Sequence, residues 1–186
     1  GCCDEGRVRK ADGVGEENTG WQVAKDLLEF ERGGSAGGNA ARKVSLQRLR
    51  ALAQIIPHEN GTLADDNDFT RKMDETSVQL EAIQYTEFRM MAALSKGDSP
   101  GPESSVIKAL SAEITQRITE LTVEAMGQYA SVHQPEARAV GSNVPTVGPA
   151  EGVVAFSRYF NLRASSIAGG SNEVQRNIMA KLVLGL

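Results

Sequence analysis

Three short stretches carry residue types that could do chemistry. Gly33–Gly34–Ser35–Ala36–Gly37 spells G-x-S-x-G. A nucleophilic serine in that frame needs a hydrophobic strand before it and a helix after it. The residues before it, from Asp26 to Arg32, are charged and helical in pattern. Neither His58 nor His133 stands at a position that marks it as the serine's base. The glycines therefore read as small residues that let a neighbouring backbone or a ligand come close. Glu31 and Arg32 adjoin them. With Glu29 they could form a solvated helix face. Alternatively, Glu31 is a carboxylate held beside a space the glycines leave, able to take a proton as a general base. The third stretch, Ile167 to Asn177, reads IAGGSNEVQRN. Gly169 and Gly170 allow close approach of a flat ligand. Ser171 and Asn172 then open a helix whose free N–H groups suit phosphate or ribose oxygens. The same residues would also serve as a plain Gly-Gly turn capped by Ser171.

The elements that must position these residues read as helices. All six prolines fall into three gaps: Pro57; Pro100 with Pro102; and Pro135, Pro145 and Pro149. A proline inside a helix costs about 3 kcal/mol, so the gaps mark loops. Between them, apolar residues recur every three or four positions. A first helix starts near Thr19–Trp21 and extends toward Ile56, with Val23, Leu27, Phe30, Val44, Leu46, Leu49, Leu52, Ile55 and Ile56 as its apolar positions. Gly33, Gly34, Gly37 and Gly38 predict a break in it, at about 1 kcal/mol each against alanine. A second helix runs from about Asp68 to Leu94, with Phe69, Met73, Leu80, Ile83, Tyr85, Phe88 and Met91 expected inside. A third runs from about Glu103 to Met126, stopped by Gly127. Its stripe is Ile107, Leu110, Ile114, Ile118, Leu121 and Ala125, with Lys108 and Gln116 among the residues outside it. Residues 128–149 form a polar loop long enough to hint at function. Two more helices, about 150–167 and 172–184, flank the Gly169–Gly170–Ser171 break. The expected fold is all-α, an antiparallel helical bundle with no substantial sheet.

Composition narrows the function. With 20 Lys and Arg against 24 Asp and Glu, the net charge is −4, which disfavours a nucleic-acid partner. No apolar run has the length of a membrane span. Cys2 and Cys3 are adjacent and no CxxC or HExxH occurs, so neither a disulfide framework nor a metal site is expected.

The run from Arg163 to Leu186, RASSIAGGSNEVQRNIMAKLVLGL, resembles the C-terminal signature of the acyl-CoA dehydrogenases. The segment VGEENTGWQVAKDLLEFERGG, beginning at Val14, is similar to the junction where that family's β-domain passes into its C-terminal helical domain. SSVIKALSAEITQRITELTVEAMG, from Ser104, resembles its subunit-contact helix. The resemblance implies residues 19–186 as the C-terminal α-helical bundle and 1–18 as a remnant of the preceding β-domain and linker. It implies FAD as cofactor, an acyl-CoA substrate oxidised to the trans-2-enoyl-CoA, and an electron-transfer flavoprotein as electron acceptor. It further implies a homo-oligomer, or a heteromer with a related subunit, in a bacterial cytoplasm; the alternative reading is a non-catalytic helical module that only assembles subunits. Many members carry the catalytic glutamate where this chain has Gly169. A second branch places it in an L-x-x-E-R context on the first long helix, which Leu28 to Arg32 fits, and that implies Glu31 as the base. Arg32, Gly169 and Gly170 fall at substrate-binding positions, and Ser171, Asn172 and Glu173 at flavin-binding ones. The stretch PHENGTLADDNDFTRKM lacks the R-x-x-F-G that binds FAD across the dimer in some members.

Overall fold

Capping chemistry sets several of the helix boundaries. The computed structural model describes residues 6–33 and 36–186, the side chains of 29–37 excepted. Helix α1 spans Gly20–Gly33 and α2 Ala36–Ala53. Gly33, Gly37 and Gly38 are thus helical in spite of their propensity. Gly34 and Ser35, where the two helices meet, lie outside the described residues. Helix α3, Asn67–Leu94, begins where the Asp66 carboxylate accepts from the N–H groups of Asp68 and Phe69. Such a cap is worth about 1 kcal/mol. Helix α4, Glu103–Met126, ends at Gly127, whose φ of 50° favours glycine. A single turn, α5, covers Pro135–Arg138. Helix α6 is Gly152–Leu162, continued by a 3-10 turn over Arg163–Ser166. Helix α7, Asn172–Met179, is capped by Ser171, whose hydroxyl accepts from the Val174 N–H, and runs into a π-helical turn over Ala180–Leu184.

Polar contacts between helices give the register of the bundle. Lys43 and Arg50 of α2 pair with Glu81 and Asp74 of α3, in reverse order along the chain. Lys72 and Arg89 of α3 pair in the same reversed sense with Glu124 and Glu103 of α4. Gly152, at the start of α6, stands beside Met126 at the end of α4, and Gln116 reaches back to the carbonyls of Leu162 and Arg163. Each neighbouring pair is therefore antiparallel. These exposed ion pairs contribute little stability individually. The apolar interior contributes most: Leu49, Phe69, Leu80, Ile83, Ile107, Ile114, Leu121 and Met126 are buried, each worth about 1.5–3 kcal/mol. Helix α4 is central, packing against α1, α2, α3, α6 and α7.

Two expectations need correction. Tyr85, Phe88 and Met91 are exposed, and α3 buries Thr76, Glu87 and Met90 instead. The buried stripe keeps a regular four-and-three spacing through Phe69, Met73, Thr76, Leu80, Ile83, Glu87 and Met90, and Tyr85, Phe88 and Met91 lie off it. Leu27, Val44, Ile55 and Leu110 are likewise exposed. A two-stranded hairpin, β1 (Pro57–His58) and β2 (Gly61–Thr62), occupies the first proline gap. It is too short to show alternation in the sequence. His58 sits there with Nε2 3.5 Å from Asp66.

Candidate active site

A cavity of about 320 Å³ lies where α1, α2 and α4 meet the turn before α7. Leu28 of α1 and Gly169 face it, with Arg42 of α2 and Lys108, Ser111 and Thr115 of α4. Residues 108, 111 and 115 share one face of α4 because they are three and four apart. Lys108 lies on the cavity side of the helix, beside the buried stripe and outside it as expected.

The turn is built from backbone conformations that glycine tolerates. Gly169 has φ +70° and Gly170 φ +100°. Among the described residues, its chain neighbours aside, no heavy atom lies within 4 Å of where a Cβ on Gly169 would stand. Behind the turn, the Lys108 ammonium donates to Asn172 Oδ1 at 3.0 Å and to the Ser166 carbonyl at 3.4 Å. This ties the buried Asn172 and the start of α7 to α4. Glu173 is exposed, and its carboxyl is held below the usual range by its own backbone N–H, then by the Ser171 hydroxyl. Of the residues expected at the site, Gly169 lines the cavity. Gly170, Ser171, Asn172 and Glu173 follow it in one turn. Glu31 follows Leu28 by three residues on α1, but the side chains of Glu31 and Arg32 lie outside the described residues.

The opposite end holds a polar cluster that sequence reasoning missed. Arg42 Nε donates to Thr115 Oγ1 at 3.0 Å, and Thr115 donates in turn to the Ser111 carbonyl at 2.7 Å. Asn39 Oδ1, Arg42 Nη1, Glu87 Oε1 and Ser111 Oγ are buried without hydrogen-bond partners among the described residues. Burial pushes the Glu87 carboxyl up, against the pull of Arg42. Burial also lowers the Arg42 guanidinium, against the pull of Glu87. One signal was present in the sequence: a Lys–Ser–Thr series at 108, 111 and 115 runs alongside the apolar stripe.

Among the described residues no group of histidines, cysteines and acids could hold a metal ion. No helix among the described residues is long and apolar enough to cross a membrane. The arrangement offers an apolar slot with glycine backbone at one end and a guanidinium at the other.

Known proteins place this architecture. The family model described as "Acyl-CoA dehydrogenase, C-terminal domain" matches residues 18–184. The acyl-CoA dehydrogenase IpdE1 of Mycobacterium tuberculosis is 29% identical over 93% of this chain and 40% of its own length. The acyl-CoA dehydrogenase FadE26 of the same organism is 26% identical over 97% of this chain and 43% of its own length. Among solved structures, the ChsE4–ChsE5 complex from Mycobacterium tuberculosis superposes with a TM-score of 0.72 at 27% identity, covering 96% of this chain and 44% of that one. The chain thus spans less than half the length of the relatives it matches. An antiparallel bundle with a glycine turn ahead of its last helix, matched along nearly its whole length, makes this chain a member of the acyl-CoA dehydrogenase family and the counterpart of its C-terminal helical domain.

Proposed function

We propose that this domain belongs to a flavin-dependent dehydrogenase that oxidises an acyl-CoA thioester to the trans-2-enoyl-CoA, with Glu31 as the base. The observation that carries the reading is the cavity shared by Leu28, one turn before Glu31, and Gly169. An α-proton beside a thioester is a weak acid. Its removal needs a carboxylate within about 3 Å in a site dry enough to raise the carboxylate's pKa. Gly169 has no side chain to serve. Its backbone N–H is suited to the thioester carbonyl oxygen, where negative charge grows as the proton leaves. Gly170 and Arg32 complete the substrate contacts.

The left-handed backbone of Gly169 and Gly170, without side chains, suits close approach of a flat ring, and Ser171, Asn172 and Glu173 would hold FAD there. FAD, when bound, supplies the two-electron acceptor for the β-hydrogen. Lys108 fixes Asn172, so the flavin-binding turn is positioned from α4. Electrons would then pass to an electron-transfer flavoprotein, and the domain would assemble with a second copy or a related subunit. Anaerobic addition of octanoyl-CoA to the complete, flavin-loaded protein tests the reading. Loss of the oxidised-flavin absorbance with formation of the enoyl thioester is expected. A flavin left oxidised by acyl-CoA thioesters of every class would contradict it.

A further inference from the structure

We propose that the acyl group taken by this site ends in a carboxylate, and that Arg42 with Ser111 receives it. The inference rests on the acyl-CoA reading above and names the substrate class. Along α4 the cavity runs from Lys108 to Thr115, seven residues or about 10 Å at 1.5 Å per residue. Gly169, assigned to the thioester, lies in its wall, and Arg42 stands at the Thr115 end. A second cavity of about 220 Å³ begins at the same Arg42 and Thr115, so the guanidinium sits where two spaces meet.

Two donors there are unused. Arg42 Nη1 is buried with no partner among the described residues, and so is the hydroxyl of Ser111, itself only 5% exposed. Buried donors are rarely left unmade in a native protein, because each carries its full desolvation cost. A carboxylate has two oxygens and would accept from both. Glu87 is the nearby protein acid and attracts Arg42, yet its Oε1, like Arg42 Nη1, is without a hydrogen-bond partner among the described residues. No acid occurs among the described side chains that line the cavity. The Lys108 ammonium is committed at the other end to Asn172 and the Ser166 carbonyl. The wall therefore selects for an anion at the Arg42 end and for apolar methylenes between.

Binding to the flavin-free complete protein tests this without turnover. The probes are suberyl-CoA, an eight-carbon chain ending in carboxylate, and octanoyl-CoA, the same chain ending in methyl. Calorimetry should show suberyl-CoA bound at least about tenfold tighter, the low end for a charge-assisted hydrogen bond. Arg42→Met should bring the two within about threefold by weakening suberyl-CoA alone. Arg42→Lys should keep part of the preference, having the charge without the planar fork. If Arg42→Met fails to fold, the double variant Arg42→Met with Glu87→Gln removes the stranded acid and gives the same comparison. Equal affinities in the parent would overturn the proposal, as would an Arg42→Met variant that loses both thioesters equally. Octanoyl-CoA oxidised at least as well as suberyl-CoA by the flavin-loaded protein would refute the carboxylate while leaving the dehydrogenase reading intact. Failure of both thioesters to bind or be oxidised would end both.

Discussion

At the scale of single residues, buried polar groups set the terms. Glu87 is 6% exposed on α3, with its carboxyl pushed up by burial and pulled down less by Arg42, Asn39 and Lys43. A carboxyl with a raised folded-state pKa favours folding in its protonated form. That contribution is complete below the unfolded glutamate pKa and is lost as pH rises through the folded value. Glu87→Gln is neutral throughout, so it should be more stable than the parent at pH 7, with the difference vanishing at acid pH. Denaturant unfolding at the two pH values checks this, and a less stable variant at pH 7 would contradict it. The opposite case is Asp65, which accepts from the N–H and hydroxyl of Thr62 and is held below the usual range. Its contribution is present at neutral pH and lost as pH falls through its lowered pKa.

At the scale of elements, caps and register decide. Asp66→Ala removes the acceptor at the start of α3 and should cost about 1 kcal/mol, a fall in Tm of about 2–4 °C for a chain of this size. An unchanged Tm would mean the cap carries nothing. Much of this level was legible in the sequence. The bounds of α4 follow from Pro102 and Gly127, and those of α3 from its crowd of acids and its periodic apolar residues. What stayed hidden depends on how a helix turns against its neighbours. Tyr85 and Phe88 keep an apolar spacing yet face outward, because Ile83, Glu87 and Met90 face the core at that level of the bundle. The site was legible only in part. Gly169 to Ser171 announce a tight turn before a capped helix by residue type, and only the resemblance adds a ligand to it. Arg42 gives no such sign, since only the fold brings it against Thr115, 73 residues away.

At the scale of the whole molecule, the chain covers 40–43% of its curated relatives. Two expectations follow for the 186-residue chain alone. It should bind FAD weakly, because a helix N-terminus contributes only about 0.3–1 kcal/mol at an exposed site. Stoichiometric bound flavin after gel filtration would contradict this. It should also self-associate. Val78, Tyr85 and Phe88 are more than half exposed along α3, with the Tyr85 and Phe88 rings packed edge to face at 6.2 Å, and such a stripe is better covered than solvated. Light scattering should give a mass above the 19.9 kDa monomer, and Phe88→Glu should lower it. A monomer with or without the substitution would contradict the claim. The account turns most directly on Glu31. In the complete protein, Glu31→Gln should keep the circular dichroism spectrum and the bound flavin. Stopped-flow reduction of that flavin by an acyl-CoA thioester should slow by at least about 100-fold, the low end for a lost general base. Reduction at near the parent rate would place the base elsewhere and contradict the assignment.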